Sequence, residues 1–323
     1  QIHYVKILIL NNNSIDSNRS ISIDLICQNL ENVHSNLALE IDLVCNSLLV
    51  HEHVFLKTTH FREVRTSLAI DKLWKRKENR YDLIVGIGIT GLNKLYYWAI
   101  SGKKKASIGK NELKKYRKLG ALDFETQIAE IILKKVIKEE QQFDLKPNVY
   151  LDEVKLKSTK KVINWLLQSN DQKLLDKNTS IFVYLSFSEY TPTSEVILRL
   201  IDRIIRNRGT NKVILIIKNE DDNQIESEKY MNLFKGIDTH ILNLDFMTYD
   251  DYYYALTFSK ESTLTITNDT HLNKINLIKD QYSILMQKKT LNDVSIDYII
   301  ERMDYYLSVI TRQLPLIPRE QKQ

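Results

Sequence analysis

Four polar residues between two apolar segments form the pattern in this chain that is best suited to bind a phosphorylated ligand. Asn268-Asp269-Thr270-His271 directly follows the strand-like run Leu264 to Thr267 and precedes a second apolar run. Where a strand ends and a helix begins, the first N–H groups of the helix point outward, here beside an acid and a hydroxyl. Open α/β sheets hold phosphates in this way. The alternative is that Asp269 and Thr270 only cap the next helix.

The second candidate for chemistry is Asp16, which lies in a polar loop after the first predicted strand. The apolar residues of Val5 to Leu10 run together, as they do in a parallel strand that is buried on both faces. The polar loop follows, and then a helical spacing of apolar residues leads to a second strand, Leu39 to Val44. Because loops at the carboxyl ends of such strands line the ligand crevice, Asp16 is predicted at its mouth. As the alternative, Asp16 is one polar loop residue among many.

A glycine turn lies between the predicted strand Tyr81 to Val85 and the helical run Leu92 to Ile100. Gly86, Gly88 and Gly91 match G-x-G-x-x-G, the dinucleotide fingerprint. The fingerprint also needs an acid at the end of the following strand to hold a ribose, and here that segment is rich in lysine. We therefore do not expect a nicotinamide or flavin cofactor. The glycines are expected instead to permit a tight turn and close packing of the helix.

Basic residues concentrate in the first half of the chain. Residues 1–170 contain 27 Lys and Arg against 19 Asp and Glu, a net charge of +8, whereas residues 171–323 contain 19 against 22, a net of −3. The segment from Lys72 to Lys118 holds 14 basic and 3 acidic residues. Such a belt favours a polyanionic partner, whether nucleic acid, anionic lipid headgroups or a phosphorylated glycan, and the alternative is a solvated face. Nucleic acid is disfavoured because no recognised binding module accompanies the belt.

Length and composition set the class of protein. A chain of 323 residues with 43% apolar residues, 8 Gly and 4 Pro has enough apolar side chains for a folded core and suits two domains. Its longest apolar runs, such as Val213 to Ile217, fall short of the roughly 20 residues that span a bilayer, so we expect a soluble cytoplasmic protein. Cys27 and Cys45 are too few for a disulfide framework or a zinc site, and both are expected to be buried and reduced.

A second series of alternating strands and helices begins after the polar stretch Gln168 to Ser180, which is predicted to be the interdomain linker. Its predicted elements are the strand Ile181 to Leu185, the helix Pro192 to Asn207, the strands Val213 to Ile217 and His240 to Leu244, and the strand that ends at Thr267. Two such series predict an α/β fold with two doubly wound domains, residues 1–170 and 171–323, whose parallel sheets face one another.

In order and spacing, most of the chain resembles the bacterial heptosyltransferases of glycosyltransferase family nine. The segments that carry the resemblance are Lys6 to Leu10 with Ser14-Ile15-Asp16, Glu40 to Val44, Tyr81 to Val85 with Gly91-Leu92-Asn93-Lys94, Ala106 to Gly109, Thr265 to Thr270, and the closing helix Val294 to Leu307. The resemblance implies a GT-B fold with two facing Rossmann-like domains. The first domain would bind the acceptor and the second the nucleotide sugar.

The resemblance also implies a reaction. A sugar, heptose or another hexose-type sugar, would move from a nucleotide sugar to a lipopolysaccharide or other surface-glycan acceptor, with inversion and without a metal. Asp16 stands where the family keeps its base, which takes the proton of the acceptor hydroxyl. No cofactor is expected, since the nucleotide sugar is a substrate. The enzyme is expected in the cytoplasm, with peripheral contact at the inner membrane, where an anionic glycolipid acceptor lies.

Donor-binding residues are expected in the second domain and acceptor-binding residues in the basic belt. The donor set is Ser186, Ser188, Glu220, Asp269, Thr270, His271 and Lys274, and the acceptor set is Lys103, Lys104 and Lys105. The chain departs from the family where His271-Leu272-Asn273-Lys274 replaces Gly-Pro-Met-His and where Glu189 falls near a lysine position. The alternative function is therefore a catalytically silent relative that binds a sugar nucleotide, a glycan or a partner protein.

Overall fold

The computed structural model divides the chain into two compact units, Gln1–Tyr150 and Leu151–Gln323. This division falls before the predicted one between residues 170 and 171, and residues 162–179, which include most of the predicted linker, lie outside the described residues. The residues that the structure describes are 4–11, 15–47, 54–66, 80–116, 118–137, 142–154, 157–158, 161, 180–187, 192–207, 212–219, 239–243, 263–286 and 293–313.

Unit 1 is built on a five-stranded parallel sheet in the order β3-β2-β1-β4-β5. Its strands are β1 Tyr4–Asn11, β2 Ala38–Cys45, β3 Phe61–Thr66, β4 Tyr81–Ile89 and β5 Gly102–Gly109. Its helices are α1 Ser17–Val33, α2 Gly91–Ala99, α3 Lys110–Lys114 and α4 Ala121–Val136, with a 3₁₀ turn at Thr58–His60. Because β1 pairs with β2 on one side and with β4 on the other, the strand order reverses at β1.

Helices cover both faces of this sheet because its central strand is apolar on both. Ile7, Leu8 and Ile9 of β1 are completely buried, although successive side chains of a strand point to opposite faces. Leu8 joins a core cluster with Tyr97 of α2 and with Ile84 of β4. On the opposite face of β1 lie Ile7 and Ile9, and α1 packs against α4. Unit 1 is therefore doubly wound.

A buried polar cluster holds α1 to the rest of unit 1. Asp24 of α1 is almost completely buried and accepts hydrogen bonds from the Lys57 backbone N–H and from the Tyr150 hydroxyl, both at 2.9 Å. The His60 ring lies between two carboxylates, with Nδ1 2.6 Å from Glu31 Oε1 and Nε2 3.2 Å from Asp24 Oδ1. The 3₁₀ turn and the last residues of the unit are thereby attached to α1.

Unit 2 repeats the topology of unit 1. Its strands are β6 Ser180–Phe187, β7 Lys212–Asn219, β8 Thr239–Asn243, β9 Thr263–Thr267 and β10 Tyr282–Leu285, and its helices are α5 Ser194–Asn207, α6 Thr270–Ile278 and α7 Asp293–Gln313. The sheet order is β10-β9-β6-β7-β8, and all of these pairs are parallel. Numbered from the first strand of each unit, both sheets have the order 3-2-1-4-5. Apolar side chains of β6, β9, α5 and α7 form the core of unit 2.

The predicted fold class is confirmed, since both units are α/β and carry doubly wound parallel sheets. The facing arrangement of the two domains, which defines GT-B, stays a prediction. Cys27 and Cys45 are buried free thiols, as expected. Within the described ranges, no helix combines the length and the apolar composition needed to cross a membrane.

Two observed strands, β3 and β10, were not among the predicted ones. The β3 sequence, Phe61-Arg62-Glu63-Val64-Arg65-Thr66, contains three charged residues because this strand forms an edge of the sheet, where polar side chains reach solvent. Arg62 Nε donates to Asp42 Oδ1 on the neighbouring strand at 3.0 Å. β10 forms an edge of the other sheet and has only four residues. Hydrophobic runs therefore identified the inner strands better than the edges.

We expect His60→Gln to destabilise the protein more at pH 6 than at pH 9. Burial alone lowers the pKa of His60, but its hydrogen bonds and charge interactions with Asp24 and Glu31 outweigh burial and raise the pKa above 6.5. A raised folded-state pKa gives stability that is complete below about pH 6.5 and is lost as the pH rises through the folded-state value. Removal of one partner of a buried ion pair costs about 3–5 kcal/mol, and we expect a loss of that order at pH 6.

Urea unfolding of the wild type and the variant at both pH values measures this difference. His34→Gln is the matched control because the His34 side chain is partly exposed at the end of α1, and it should change the free energy of unfolding little. If His60→Gln lowered the free energy of unfolding equally at pH 6 and at pH 9, His60 would not be an imidazolium between two carboxylates.

Candidate functional site

A cavity of about 510 Å³ lies in unit 1 at the carboxyl ends of β1 and β4. The strand order reverses between these two strands, so α1 and α2 leave toward opposite faces and a crevice remains between them. The volume is within the range of about 300–1,000 Å³ that is usual for small-molecule sites. Polar side chains in its lining are Asn11, Asp16, Asn18, Arg19, Thr90, Lys110 and Glu125.

Asp16 is the N-cap of α1 and lines this cavity. Its Oδ1 accepts hydrogen bonds from the backbone N–H groups of Asn18 at 3.1 Å and Arg19 at 2.8 Å. Both bonds go to one oxygen, and Oδ2 has no protein partner in the described part of the chain. The cap therefore fixes the carboxylate while one oxygen remains for a ligand. The catalytic role of Asp16 stays a prediction.

Arg19 lines the same crevice and is paired there with Glu125. Its Nε lies 3.5 Å from Glu125 Oε2 on α4, and its Nη1 is buried with no hydrogen-bond partner among the described residues. A buried N–H donor without an acceptor is costly, so an anionic ligand group in the cavity would stabilise it. Lys110, at the start of α3, adds a second cation to the lining.

Arg19 and Lys110 were not among the predicted site residues. A signal for Arg19 was present, because a basic residue three positions after a candidate acid lies in the first turn of the same helix. Lys110 directly follows β5, whose carboxyl end lies at the same sheet edge as that of β1. In the sequence, both residues contribute only to the general excess of basic residues in the first half of the chain.

The glycine turn between β4 and α2 serves packing and backbone geometry. A Cβ on Gly86 would lie 3.1 Å from the Tyr97 ring of α2, so the helix packs directly on this glycine. Gly88 and Gly91 have φ angles of +62° and +56°, in the left-handed region that favours glycine. The expected tight turn and close helix packing are confirmed.

The corresponding edge of unit 2 places the predicted donor residues Ser186 and Asp269 at the carboxyl ends of neighbouring strands, with Asp269 two residues after β9. β6 and β9 pair with Ser186 opposite Thr267, and the Asn268 N–H donates to the Ser186 carbonyl at 3.3 Å. These strands are the first and fourth of the unit, between which the strand order reverses. The predicted donor site therefore lies at the position in unit 2 that the cavity occupies in unit 1.

Asp269 is the N-cap of α6, and its side chain is buried. Its Oδ1 accepts hydrogen bonds from the backbone N–H groups of His271 at 2.8 Å and Leu272 at 3.1 Å. These are the N–H groups that the sequence pattern suggested for a phosphate, and they are already donated to Asp269. Asp269 therefore caps α6, and a donor-binding role for Asp269 stays a prediction.

The other predicted donor residues differ in how accessible they are. Thr270 is exposed, whereas His271 and Lys274 are partly buried. Thr270 and Lys274 lie on one side of α6 because they are four residues apart. Ser186 is buried at the end of β6. Ser188, Glu189 and Glu220 lie outside the described residues.

Lys103, Lys104 and Lys105 lie in the amino-terminal half of β5, at the end of the sheet away from the cavity. Lys104 is five residues before Gly109, the last residue of β5, which corresponds to about 17 Å along a strand. The structure therefore does not bring the three lysines to the crevice that contains Asp16. Their assignment to acceptor binding stays a prediction.

Two of the three lysines have clear structural contacts. The Lys104 Nζ donates to the Val136 carbonyl, and the Lys105 Nζ donates to the Tyr97 and Trp98 carbonyls at 3.0 and 2.8 Å. These carbonyls lie at the carboxyl ends of α4 and α2, where a cation is favourable. Lys103 is 82% exposed and pairs with Asp82 at 2.6 Å. In the parts of the chain that the structure covers, no His, Cys, Asp and Glu side chains are grouped to hold a metal ion.

Asp16→Ala and Asp269→Ala should each lower the free energy of unfolding by about 0.5–2 kcal/mol, because each removes a helix N-cap. Asp16→Asn and Asp269→Asn should retain most of that stability, since Asn caps about as well as Asp. Denaturant unfolding of the four variants measures the differences. A loss in Asp16→Asn as large as that in Asp16→Ala would contradict the cap geometry.

No protein-family model and no curated protein matches this sequence. Among solved structures, a glycosyl transferase family 9 protein from Veillonella parvula is 12% identical, with a TM-score of 0.48 over 95% of this chain and 94% of its own. E. coli heptosyltransferase WaaC with ADP is 12% identical, with a TM-score of 0.46 over 93% of this chain and 99% of its own. E. coli ADP-heptose lps heptosyltransferase II is 11% identical, with a TM-score of 0.49 over 94% of this chain and 99% of its own. The chain is thus similar to these structures along most of its length, while the fold assignment rests on the strand order of each unit.

Proposed function

We propose that this protein is an inverting, metal-independent glycosyltransferase that moves a sugar from a nucleotide sugar to an anionic surface-glycan acceptor. The observation that carries the proposal is the crevice of unit 1, where the fixed carboxylate of Asp16 shares a cavity with the Arg19 guanidinium. Transfer to a charged acceptor requires a proton acceptor close to a cationic binding group. The sequence resemblance to glycosyltransferase family nine supplies the reaction class.

In the proposed reaction, Asp16 Oδ2 accepts the proton of an acceptor hydroxyl. The hydroxyl oxygen bonds to the anomeric carbon of the donor sugar from the face opposite the leaving group. The bond from that carbon to the diphosphate oxygen breaks, and its electron pair leaves with the nucleoside diphosphate. A single displacement of this kind inverts the configuration. Because two backbone N–H groups hold Oδ1, the base is oriented before the acceptor binds.

The acceptor is proposed to be a lipopolysaccharide or another surface glycan with a phosphate or carboxylate near the reacting hydroxyl. The Arg19 Nη1, which is buried and without an acceptor among the residues described, supports this choice. A guanidinium binds phosphates and carboxylates through two parallel hydrogen bonds, and Lys110 would add a point charge. The protein is proposed to work in the cytoplasm, where the inner membrane presents such an acceptor.

The donor is proposed to bind unit 2 at the carboxyl ends of β6 and β9. Thr270, His271 and Lys274 lie in the first two turns of α6 and would hold the diphosphate. Ser186 is close by, through the pairing of β6 with β9. The sequence resemblance implies heptose or another hexose-type sugar as the group transferred, and no cofactor takes part.

A catalytically silent binding protein is the second candidate. The observation that favours it is the N-terminus of α6, where the His271 and Leu272 N–H groups are already donated to Asp269. A diphosphate at this helix would rely on the side chains of Thr270 and Lys274 for its hydrogen bonds. Weak donor binding without transfer would favour this candidate over the first.

Asp16→Asn should lower turnover by ~10²–10⁴, the range expected when a general base is removed. The variant keeps the helix cap, so the fold and the affinity for the donor should not change. Initial rates with a nucleotide sugar and an acceptor, together with a thermal denaturation curve, measure both effects. Asp144→Asn is the matched control because it makes the same change at a carboxylate that accepts a backbone N–H and does not line the cavity. Near-normal turnover in Asp16→Asn would exclude Asp16 as the base.

Nucleoside diphosphates should raise the melting temperature of the protein, since binding to the native state alone stabilises it. Lys274→Ala should weaken this binding about ten- to hundredfold, because a hydrogen bond to a charged group contributes about 1.5–3 kcal/mol. Thr90→Val, at the glycine turn of unit 1, is the control and should leave the affinity unchanged. A larger effect of Thr90→Val than of Lys274→Ala would place the nucleotide at the glycine turn instead.

A further inference from the structure

Helix α2 presents two large apolar side chains to solvent. Leu95 and Trp98 are each 65% exposed, whereas Tyr97 of the same helix and Ile100 just after it are buried. Leu95 and Trp98 are three residues apart and Lys94 and Trp98 are four apart, so these three side chains share one face of the helix. A contiguous apolar patch that is rimmed by polar residues is a feature of interaction surfaces.

The structure holds Trp98 firmly in this exposed position. The Lys105 Nζ donates to the carbonyls of Tyr97 and Trp98 and lies 5.7 and 5.9 Å from the centres of their rings. The Tyr97 and Trp98 rings meet edge to face at 5.4 Å. Because Tyr97 packs on Gly86 of β4, the end of α2 is anchored to the sheet. Trp98 is therefore a preorganised element of the surface, and its exposure does not come from a loose chain end.

The charges around this apolar pair are mostly positive. Lys94 is exposed on the same face, and Arg80 and Lys103 are exposed beside the end of α2. Helix α2 contains no acidic residue, and Asp82 is paired with Lys103. Three exposed cations against one acid leave a net charge of +2 among these four residues. The surface thus combines apolar insertion with attraction to negative charge.

We propose that the face of α2 formed by Lys94, Leu95 and Trp98 binds the surface of an anionic lipid bilayer. Tryptophan is favoured at the level of the headgroups, where its ring is apolar and its N–H reaches water. Leu95 inserts beside it, and Lys94 and Lys103 are attracted to anionic headgroups. A second copy of the chain fits less well, since a symmetric contact would place these lysines against their own copies.

Vesicle co-sedimentation of the full chain tests the proposal without any nucleotide sugar. The protein should bind vesicles of mixed phosphatidylglycerol and phosphatidylcholine, bind pure phosphatidylcholine weakly, and dissociate as salt is raised. The double variant Leu95→Ser Trp98→Ser should weaken binding about tenfold or more, because the two side chains would no longer bury apolar surface in the bilayer. Lys94→Ala should weaken it about fivefold.

Leu277→Ser is the matched control, because Leu277 is 49% exposed on α6 of unit 2, and this variant should bind as the wild type does. Brominated lipids should quench the tryptophan fluorescence of the wild type more than that of Trp98→Phe, which keeps an apolar ring. Equal binding to both kinds of vesicle, or unchanged binding of the Leu95→Ser Trp98→Ser variant, would overturn the proposal. A dimer in sedimentation velocity that this variant dissociates, with no vesicle binding by the wild type, would assign the face to a second copy instead.

Because no substrate is present, this test is independent of the proposed transfer. Failure of sugar transfer with vesicle binding intact would contradict only the proposed glycosyltransferase function. Failure of vesicle binding, with transfer to a water-soluble acceptor intact, would contradict only the proposed binding of α2 to a membrane. The substituted side chains line neither the cavity nor the predicted donor site, so transfer to a soluble acceptor should be unchanged in the Leu95→Ser Trp98→Ser variant.

Discussion

The position of β1 between β2 and β4 is the constraint on which unit 1 depends. Parallel strands are joined by right-handed crossovers, so a connection that leaves β1 for β2 and one that leaves β4 for β5 must cover opposite faces of the sheet. The two connections separate at the carboxyl edge, and a crevice remains between them. The Asp16 cap, the Arg19 guanidinium and the glycine turn all lie around it. Unit 2 obeys the same constraint with β6 and β9.

Much of this architecture could be predicted from the sequence, because the inner strands are buried on both faces and read as continuous apolar runs. Val5 to Leu10, Tyr81 to Val85 and Ile181 to Leu185 all lie within observed strands. The alternation of strands and helices then gives two doubly wound sheets. The edge strands β3 and β10 were not predicted, because neither has a continuous apolar run. The side chains of β3 reach solvent, and β10 has only four residues.

The candidate site was less predictable, because its properties depend on contacts that a linear pattern does not contain. The pattern at Asp269 fits both a cap and a phosphate site, and only the structure shows that the His271 and Leu272 N–H groups donate to Asp269. The lysine triplet looked like one patch, yet alternation along β5 sends Lys104 and Lys105 to the ends of two different helices. Arg19 became a candidate only when burial of its Nη1 was known.

The polar cluster around Asp24 ties the folding of unit 1 to its synthesis. Asp24 receives a hydrogen bond from Tyr150, 126 residues later, and the Tyr150 N–H donates to the Val54 carbonyl at 2.7 Å. Until residue 150 has left the ribosome, a buried carboxylate near the middle of the first helix lacks one of its donors. Synthesis must therefore continue for 126 residues beyond Asp24 before α1 is fully satisfied, and contacts this distant in sequence form slowly.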